Sequence, residues 1–113
     1  MEHNYETKDN VLIIYLKGDL IGENNGPELV KIVNDSIHEK IIHCAVDLSE
    51  VRYMNSSGIG VLITLLTKYR NQEGEMVLIK PSEKIEKLLL ITKLNKIFTI
   101  VETKEEAYRL LNK

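Results

Sequence analysis

The sequence contains no tryptophan, one phenylalanine, one cysteine and two prolines in 113 residues. Its single thiol, Cys44, cannot form an internal disulfide, which is consistent with a reducing compartment. No N-terminal segment combines basic residues, a long apolar stretch and a cleavage site. The longest nearly apolar run, residues 59 to 66, is far shorter than the roughly 20 residues of a membrane span. We therefore expect a cytoplasmic protein without membrane insertion.

The chain also lacks an excess of positive charge, since its formal net charge is -2. Such a balance gives no global attraction to nucleic acid. A locally basic segment between residues 80 and 96 is interrupted by Glu83 and Glu86, and it lacks the aromatic residues on which bases stack. It indicates a solvated helix face rather than a nucleic-acid site, although the same side chains could rim a protein interface. Its lysines are Lys80, Lys84, Lys87, Lys93 and Lys96.

Recognisable catalytic and cofactor motifs are missing as well. His43 and Cys44 are neighbours in a predicted strand, so their side chains point to opposite faces and cannot share one metal ion. The segment GIG at 58–60 lacks the further glycines and the lysine of nucleotide-binding loops. No serine lies in a GxSxG turn. We expect no metal, no cofactor and no enzymatic activity.

Strand-like and helix-like segments alternate along the whole chain. The length and the 43% hydrophobic content predict one domain over residues 1–113. VLIIYLK at 11–17 is predicted as a strand, paired with an edge strand near Tyr5. IIHCAVDL at 41–48 is typical of a central strand buried on both faces. MVLIK at 76–80 and FTIV at 98–101 complete the predicted sheet.

Helices are predicted between these strands. GDLIGENNGPEL is predicted as a polar loop, in which Asn25 or Gly26 caps a first helix with Pro27 in its first turn. A second helix follows residue 59, a third opens at Pro81 and Ser82, and a capping pair at 103 and 106 starts a fourth. The alternation predicts an α/β fold with a mixed, mainly parallel sheet of about four to five strands and about four helices.

The stretch YMNSSGIG at 53–60 joins the central strand to the second helix. Asn55, Ser56 or Ser57 can cap that helix, and Gly58 and Gly60 permit close packing. Free N–H groups and the helix dipole also favour an anion at such a turn. A phosphoserine would therefore be compatible with this fold while adding about two negative charges to the surface.

Four short motifs together carry a family resemblance: GDL after the first strand, DLS in the central strand, SSG at the helix start, and LNKIFTI near the end. In this composite the chain resembles the STAS domain of bacterial anti-sigma-factor antagonists over nearly its whole length. The resemblance implies a non-enzymatic regulator that binds an anti-sigma factor, which is also a serine kinase, and thereby releases a sigma factor. It also implies that the kinase phosphorylates the second serine of the pair and that a serine phosphatase reverses this.

Carried onto this sequence, the resemblance implies Ser57 as the phosphoacceptor. The implied partner-binding residues are Gly18, Asp19, Leu20, Ile21, Asn55, Ser56, Ser57, Gly58, Ile59 and Gly60. The family commonly has acids at the positions of Ile21 and Asn55, which leaves Asp19 as the expected nearby acid.

Two other interpretations stay open. The first is a STAS scaffold or regulatory subunit of another signalling or transport complex, in which Ser57 is only a helix cap. The second is a small-molecule sensor or weak nucleotide-dependent enzyme that uses the anion-friendly helix start. The sequence supplies no base, metal-ligand set or phosphate loop for such chemistry.

Overall fold

The first two strands form a hairpin at one edge of the sheet. The computed structural model of the protein describes residues 1–112. Strand β1 (Glu2–Lys8) pairs antiparallel with β2 (Val11–Leu20). The turn residues Asp9 and Asn10 have φ values of 54° and 64°. Two positive φ angles are characteristic of type I′ turns, whose twist matches that of the strands. The predicted edge strand near Tyr5 is confirmed.

The other strands run parallel to β2. They are β3 (His43–Met54), β4 (Glu75–Ile79) and β5 (Thr99–Val101), and the sheet order is β1-β2-β3-β4-β5. The helices are α1 (Gly22–His38), α2 (Ser56–Arg70), α3 (Glu83–Ile91) and α4 (Lys104–Leu111), with a 3-10 turn at Leu94–Lys96. The predicted α/β fold with a mainly parallel sheet is confirmed. Within residues 1–112, no helix combines the length and the apolar character that crossing a membrane requires.

Apolar side chains are buried on both faces of the sheet. One cluster joins the sheet to α1, α2 and α3, and a smaller one joins it to α4. In β4 the neighbours Val77 and Leu78 point to opposite faces, yet both are 0% exposed. Cys44 belongs to the larger cluster, and its burial raises the pKa of the thiol to about 12. A thiol with such a pKa is unreactive at neutral pH.

The predicted loop GDLIGENNGPEL is wrong. Strand β2 continues through Leu20, and α1 already begins at Gly22. Asn25 is therefore inside the helix, where its side-chain oxygen accepts the N–H of Ile21 at 2.9 Å, and Pro27 also lies inside α1. The polar and proline residues indicate a loop locally, but the tertiary contacts of the chain decide where the helix begins.

Strand β3 is also longer than the predicted run of 41–48. Its pairing with β2 continues, with two irregularities, as far as the Leu20 and Met54 partners. Polar residues such as Glu50 and Arg52 are exposed in this extension, so their composition resembles that of a loop. Because β2 and β3 end side by side, residues 18–22 and 54–58 meet at the carboxyl ends of these two strands.

Candidate functional site

The two segments that the family resemblance implies for a partner surface lie against each other. The N–H of Asn55 donates to the carbonyl of Leu20 at 3.3 Å. A Cβ atom on Gly58 would lie 2.4 Å from the carbonyl oxygen of Leu20, and one on Gly22 would lie 2.3 Å from that of Ser57. These two glycines therefore permit the close backbone approach between the start of α1, the end of β2 and the start of α2.

Asn55 is the N-cap of α2. Its backbone is extended, and its Oδ1 accepts the N–H of Gly58 at 2.8 Å. The same oxygen lies 3.4 Å from the N–H of Gly22, at the start of α1. Of the three capping candidates in the sequence, the structure selects Asn55, and this one side chain also links the two helix starts. The hydroxyl of Ser57 is consequently not needed as a cap.

Ser57 instead contacts a carboxylate on α1. Its Oγ lies 2.8 Å from Oε2 of Glu23 and 2.9 Å from Oδ1 of Asn55. A hydroxyl has one proton, so it donates to one of these oxygens at a time, and an ionised carboxylate is the stronger acceptor. Nδ2 of Asn55 donates to the same Glu23 oxygen at 3.3 Å. Glu23, Asn55 and Ser57 thus form one hydrogen-bonded cluster.

Hydrogen bonds to the carboxylate lower the pKa of Glu23 from its ordinary value of 4.5. The largest cause is its own backbone N–H, followed by Ser57 and Asn55. Glu23 is therefore ionised near neutral pH and is a weak general base. The cluster holds the Ser57 hydroxyl in place without activating it as a nucleophile.

Sequence reasoning missed Glu23 because it lay in the predicted loop. The expected nearby acid, Asp19, pairs instead with Arg52, at 3.4 Å between Oδ1 and a guanidinium nitrogen. With α1 starting at Gly22, Glu23 falls in the first helical turn and reaches Ser57. Glu23 therefore supplies a carboxylate next to Ser57, whereas Ile21 and Asn55 occupy the two positions at which the resemblance implies acids.

The other residues of the predicted surface differ in exposure. Leu20 is 0% exposed, so its side chain belongs to the core. The prediction of close packing at Gly60 is wrong, since no atom lies within 4 Å of a Cβ built there. Gly18 has a φ of 99°, a region that favours glycine. Ser56 is exposed, Gly58 is buried, and the half-buried positions are Gly18, Asp19, Ile21, Asn55, Ser57, Ile59 and Gly60.

The adjacent residues His43 and Cys44 do not form part of this site. Cys44 lies in the larger cluster, under α1, α2 and α3, whereas the alternation of β3 directs His43 to the face that α4 covers. Across residues 1–112, no group of three or more His, Cys, Asp or Glu side chains is arranged to hold a metal ion.

Comparison with known proteins identifies the family of this chain. The model of the STAS domain matches residues 2–107. The chain belongs to the STAS domain family. This confirms the resemblance that the four motifs carry, and the STAS match includes both Glu23 and Ser57.

Individual proteins are also similar to this chain. A candidate anti-sigma factor antagonist of Thermotoga maritima is 27% identical over 103 residues, which cover 91% of either chain. A crystal structure of a candidate anti-sigma factor antagonist from the same organism superposes with a TM-score of 0.87 at 28% identity, covering 97% of this chain and 94% of the other. The Bacillus cell-fate determinant SpoIIAA, in its phosphorylated form, shares the fold with a TM-score of 0.74 at 19% identity, covering 96% and 97%.

Proposed function

We propose that this STAS protein is an anti-sigma-factor antagonist that is switched by phosphorylation of Ser57. In its unmodified form it binds an anti-sigma factor of the serine-kinase type and thereby releases a sigma factor. The kinase then phosphorylates Ser57 and the complex dissociates, until a serine phosphatase restores the hydroxyl. The observation that carries this proposal is the Ser57 hydroxyl, half-buried at the start of α2 and 2.8 Å from the Glu23 carboxylate.

The surroundings of Ser57 are compatible with a phosphoacceptor. Asn55 supplies the cap, so modification of Ser57 leaves the bond from Gly58 to Asn55 in place. The first N–H groups of α2 have no partners within the helix, and the helix dipole favours negative charge at this end. Ser56 beside it is exposed, so the surface next to Ser57 is open to a docking protein. Phosphoserine can therefore form here without unfolding the helix.

A phosphate on Ser57 would change the shape and the charge of the proposed surface. It would place about two negative charges beside the carboxylate of Glu23. The hydroxyl proton that bonds to Glu23 would be gone, and like charges would repel. Because Glu23 is exposed, its side chain can turn away into solvent. A partner that packs closely on the unmodified cluster would meet a new, desolvated anion, which disfavours the complex.

The first test is phosphoryl transfer itself. The protein is incubated with ATP and a candidate anti-sigma kinase encoded in the same genome as this chain, and the intact mass of the protein is measured. We expect a gain of one phosphate that is lost in Ser57→Ala. The matched control is Ser56→Ala, which removes the neighbouring, exposed hydroxyl and should still gain the phosphate. If Ser57→Ala still gained the phosphate and Ser56→Ala did not, the assignment of Ser57 as the phosphoacceptor would be overturned.

Binding tests the switch separately. We expect unmodified protein to form a stable complex with the kinase and Ser57→Glu to bind at least about tenfold more weakly, a difference of about 1.4 kcal/mol. Ser56→Glu adds the same charge at the exposed neighbour and should weaken binding less. Binding of Ser57→Glu as tight as that of the unaltered protein would contradict the switch.

The scaffold interpretation makes different predictions for the same experiments. It expects a complex with proteins other than a kinase and no phosphate on Ser57. The cap that this interpretation assigned to Ser57 is formed by Asn55, so a capping role does not account for Ser57. The contact with Glu23 holds the Ser57 hydroxyl in position at the start of α2, and this positioning supports the phosphoacceptor proposal.

A further inference from the structure

An apolar groove lies between the end of β3 and α3, beside the proposed phosphoacceptor site. Its volume is about 340 Å³. The floor consists of Met54 and Ile85, which are 2% and 1% exposed. Met54 directly precedes Asn55, the cap of α2, so the groove and the Ser57 cluster are adjacent along the chain.

The walls of this groove include large apolar side chains that are exposed to solvent. Tyr53 and Ile91 line it with 54% and 78% of their surface accessible, and Leu88 is half-buried between them and the core. Single exposed apolar residues are normal on a protein surface. Two of them around one concave site, together with the half-buried Leu88, instead indicate a contact surface.

The rim of the groove carries positive charge. Arg52, Lys84 and Lys87 line it, and no acidic residue is among its lining residues. Arg52 and Lys87 pair with Asp19 and Glu83 at 3.4 Å and 3.5 Å, but these exposed ion pairs contribute little. Within residues 1–112 the ammonium of Lys84 forms no ion pair. The rim is therefore complementary to an acidic ligand.

We propose that this groove binds an acidic segment of a partner protein, anchored by large apolar side chains that insert between Tyr53 and Ile91. The carboxylates of that segment would pair with Lys84 and its neighbours on the rim. The proposal rests on the proposed function, in which the chain docks on a protein through the adjacent start of α2. It adds a second contact that does not involve Ser57. It also assigns a role to two lysines of the basic segment, which line an interface instead of only facing solvent.

Peptide binding followed by NMR tests the groove independently of any kinase. Two short fluorescent peptides share the same leucines, flanked by glutamates in one and by lysines in the other. We expect the acidic peptide to bind and to shift the amide signals of Tyr53, Leu88 and Ile91, and we expect the basic peptide not to bind. Ile91→Ser and Lys84→Glu should each weaken acidic-peptide binding by about tenfold or more.

Matched controls lie close by in the chain. Leu90 is 63% exposed but does not line the groove, and Lys96 is an exposed lysine outside it. Leu90→Ser and Lys96→Glu should bind the acidic peptide as the unaltered protein does. The assay contains no kinase, so failure of the proposed Ser57 switch would leave acidic-peptide binding intact.

Four outcomes would overturn the proposal. The first would be that the acidic peptide failed to bind, and the second that both peptides bound equally well. The third would be that Leu90→Ser weakened binding as much as Ile91→Ser did. Alternatively, sedimentation shows a dimer that Ile91→Ser dissociates, which would assign the groove to a second copy of the chain.

Discussion

At the scale of single residues, the contact between Glu23 and Ser57 connects two segments that are 34 positions apart in the chain. The family motif predicts an acid near the serine pair, but Ile21 and Asn55 occupy the two positions at which it is expected. The carboxylate nevertheless reaches the hydroxyl from the first turn of α1. Tertiary structure therefore brings a carboxylate to the serine that the position-by-position motif does not show.

The pKa of Glu23 provides a test of this contact. Because the folded pKa lies below the ordinary value of 4.5, the ionised carboxylate stabilises the folded chain above that pH. This contribution is lost as the pH falls through the folded pKa. In an NMR titration of the Glu23 carboxyl carbon we expect a midpoint below 4.5. Ser57→Ala should raise that midpoint but leave it below 4.5, since the bond to the backbone N–H is the largest cause.

The neighbouring serine is the control for this titration. Ser56→Ala removes a hydroxyl that is exposed and that has no part in the Glu23 cluster, so the Glu23 midpoint should not move. A midpoint at or above 4.5, or one that is the same with and without the Ser57 hydroxyl, would show that the contact does not exist in solution.

At the scale of secondary-structure elements, the start of α2 is fixed by backbone contacts with its neighbours. Gly22 and Gly58 each occupy a place where a Cβ would meet a carbonyl oxygen, and Asn55 joins α1 to α2. The sequence predicts the helix and names its three capping candidates. It does not show that two other segments pass within van der Waals distance of the same turn.

Two glycines of the same helix should respond in opposite ways to alanine. Gly58→Ala places a methyl group 2.4 Å from the Leu20 oxygen, so we expect the free energy of unfolding to fall by roughly 1–3 kcal/mol. Gly60→Ala has open space and should raise that free energy by up to about 1 kcal/mol, because alanine has the higher helix propensity. Urea denaturation of both variants measures the difference. Equal effects of the two substitutions would contradict the contact.

Element boundaries were less predictable than element types. The sequence indicates every strand of the sheet and each of the four α-helices, because apolar periodicity reports burial directly. It ends β3 near residue 48, since polar residues follow, but the ladder with β2 continues to Met54. It also predicts Asn25 or Gly26 as the cap of α1, whereas the helix already begins at Gly22. Strand pairing and helix docking involve partners distant in the chain, which local patterns do not contain.

At the scale of the whole molecule, helices cover the sheet on both faces. The larger apolar cluster lies under α1, α2 and α3, and the smaller one lies under α4. Continuous apolar runs in the parallel strands are the sequence pattern of this arrangement.

Neighbouring core positions of β4 test the two-sided burial. Val77 and Leu78 are both 0% exposed. We expect Leu78→Ala to lower the free energy of unfolding by roughly 2–5 kcal/mol and Val77→Ala to lower it by about 2 kcal/mol. Leu110→Ala is the control, because that side chain is 38% exposed and should change stability by less than about 1 kcal/mol. If either β4 substitution were as mild as the control, that face of the sheet would not be covered.

The amino-acid sequence by itself determined the α/β fold, the mainly parallel sheet and the family to which the chain belongs. It did so because hydrophobic periodicity and short motifs are local properties of the chain. Only the tertiary structure decided that Asn55 is the cap, that Glu23 contacts Ser57, and that Met54 and Ile85 form the floor of an exposed groove. Each of these depends on side chains brought together by strand pairing and helix packing, and their separation in the sequence conceals their proximity.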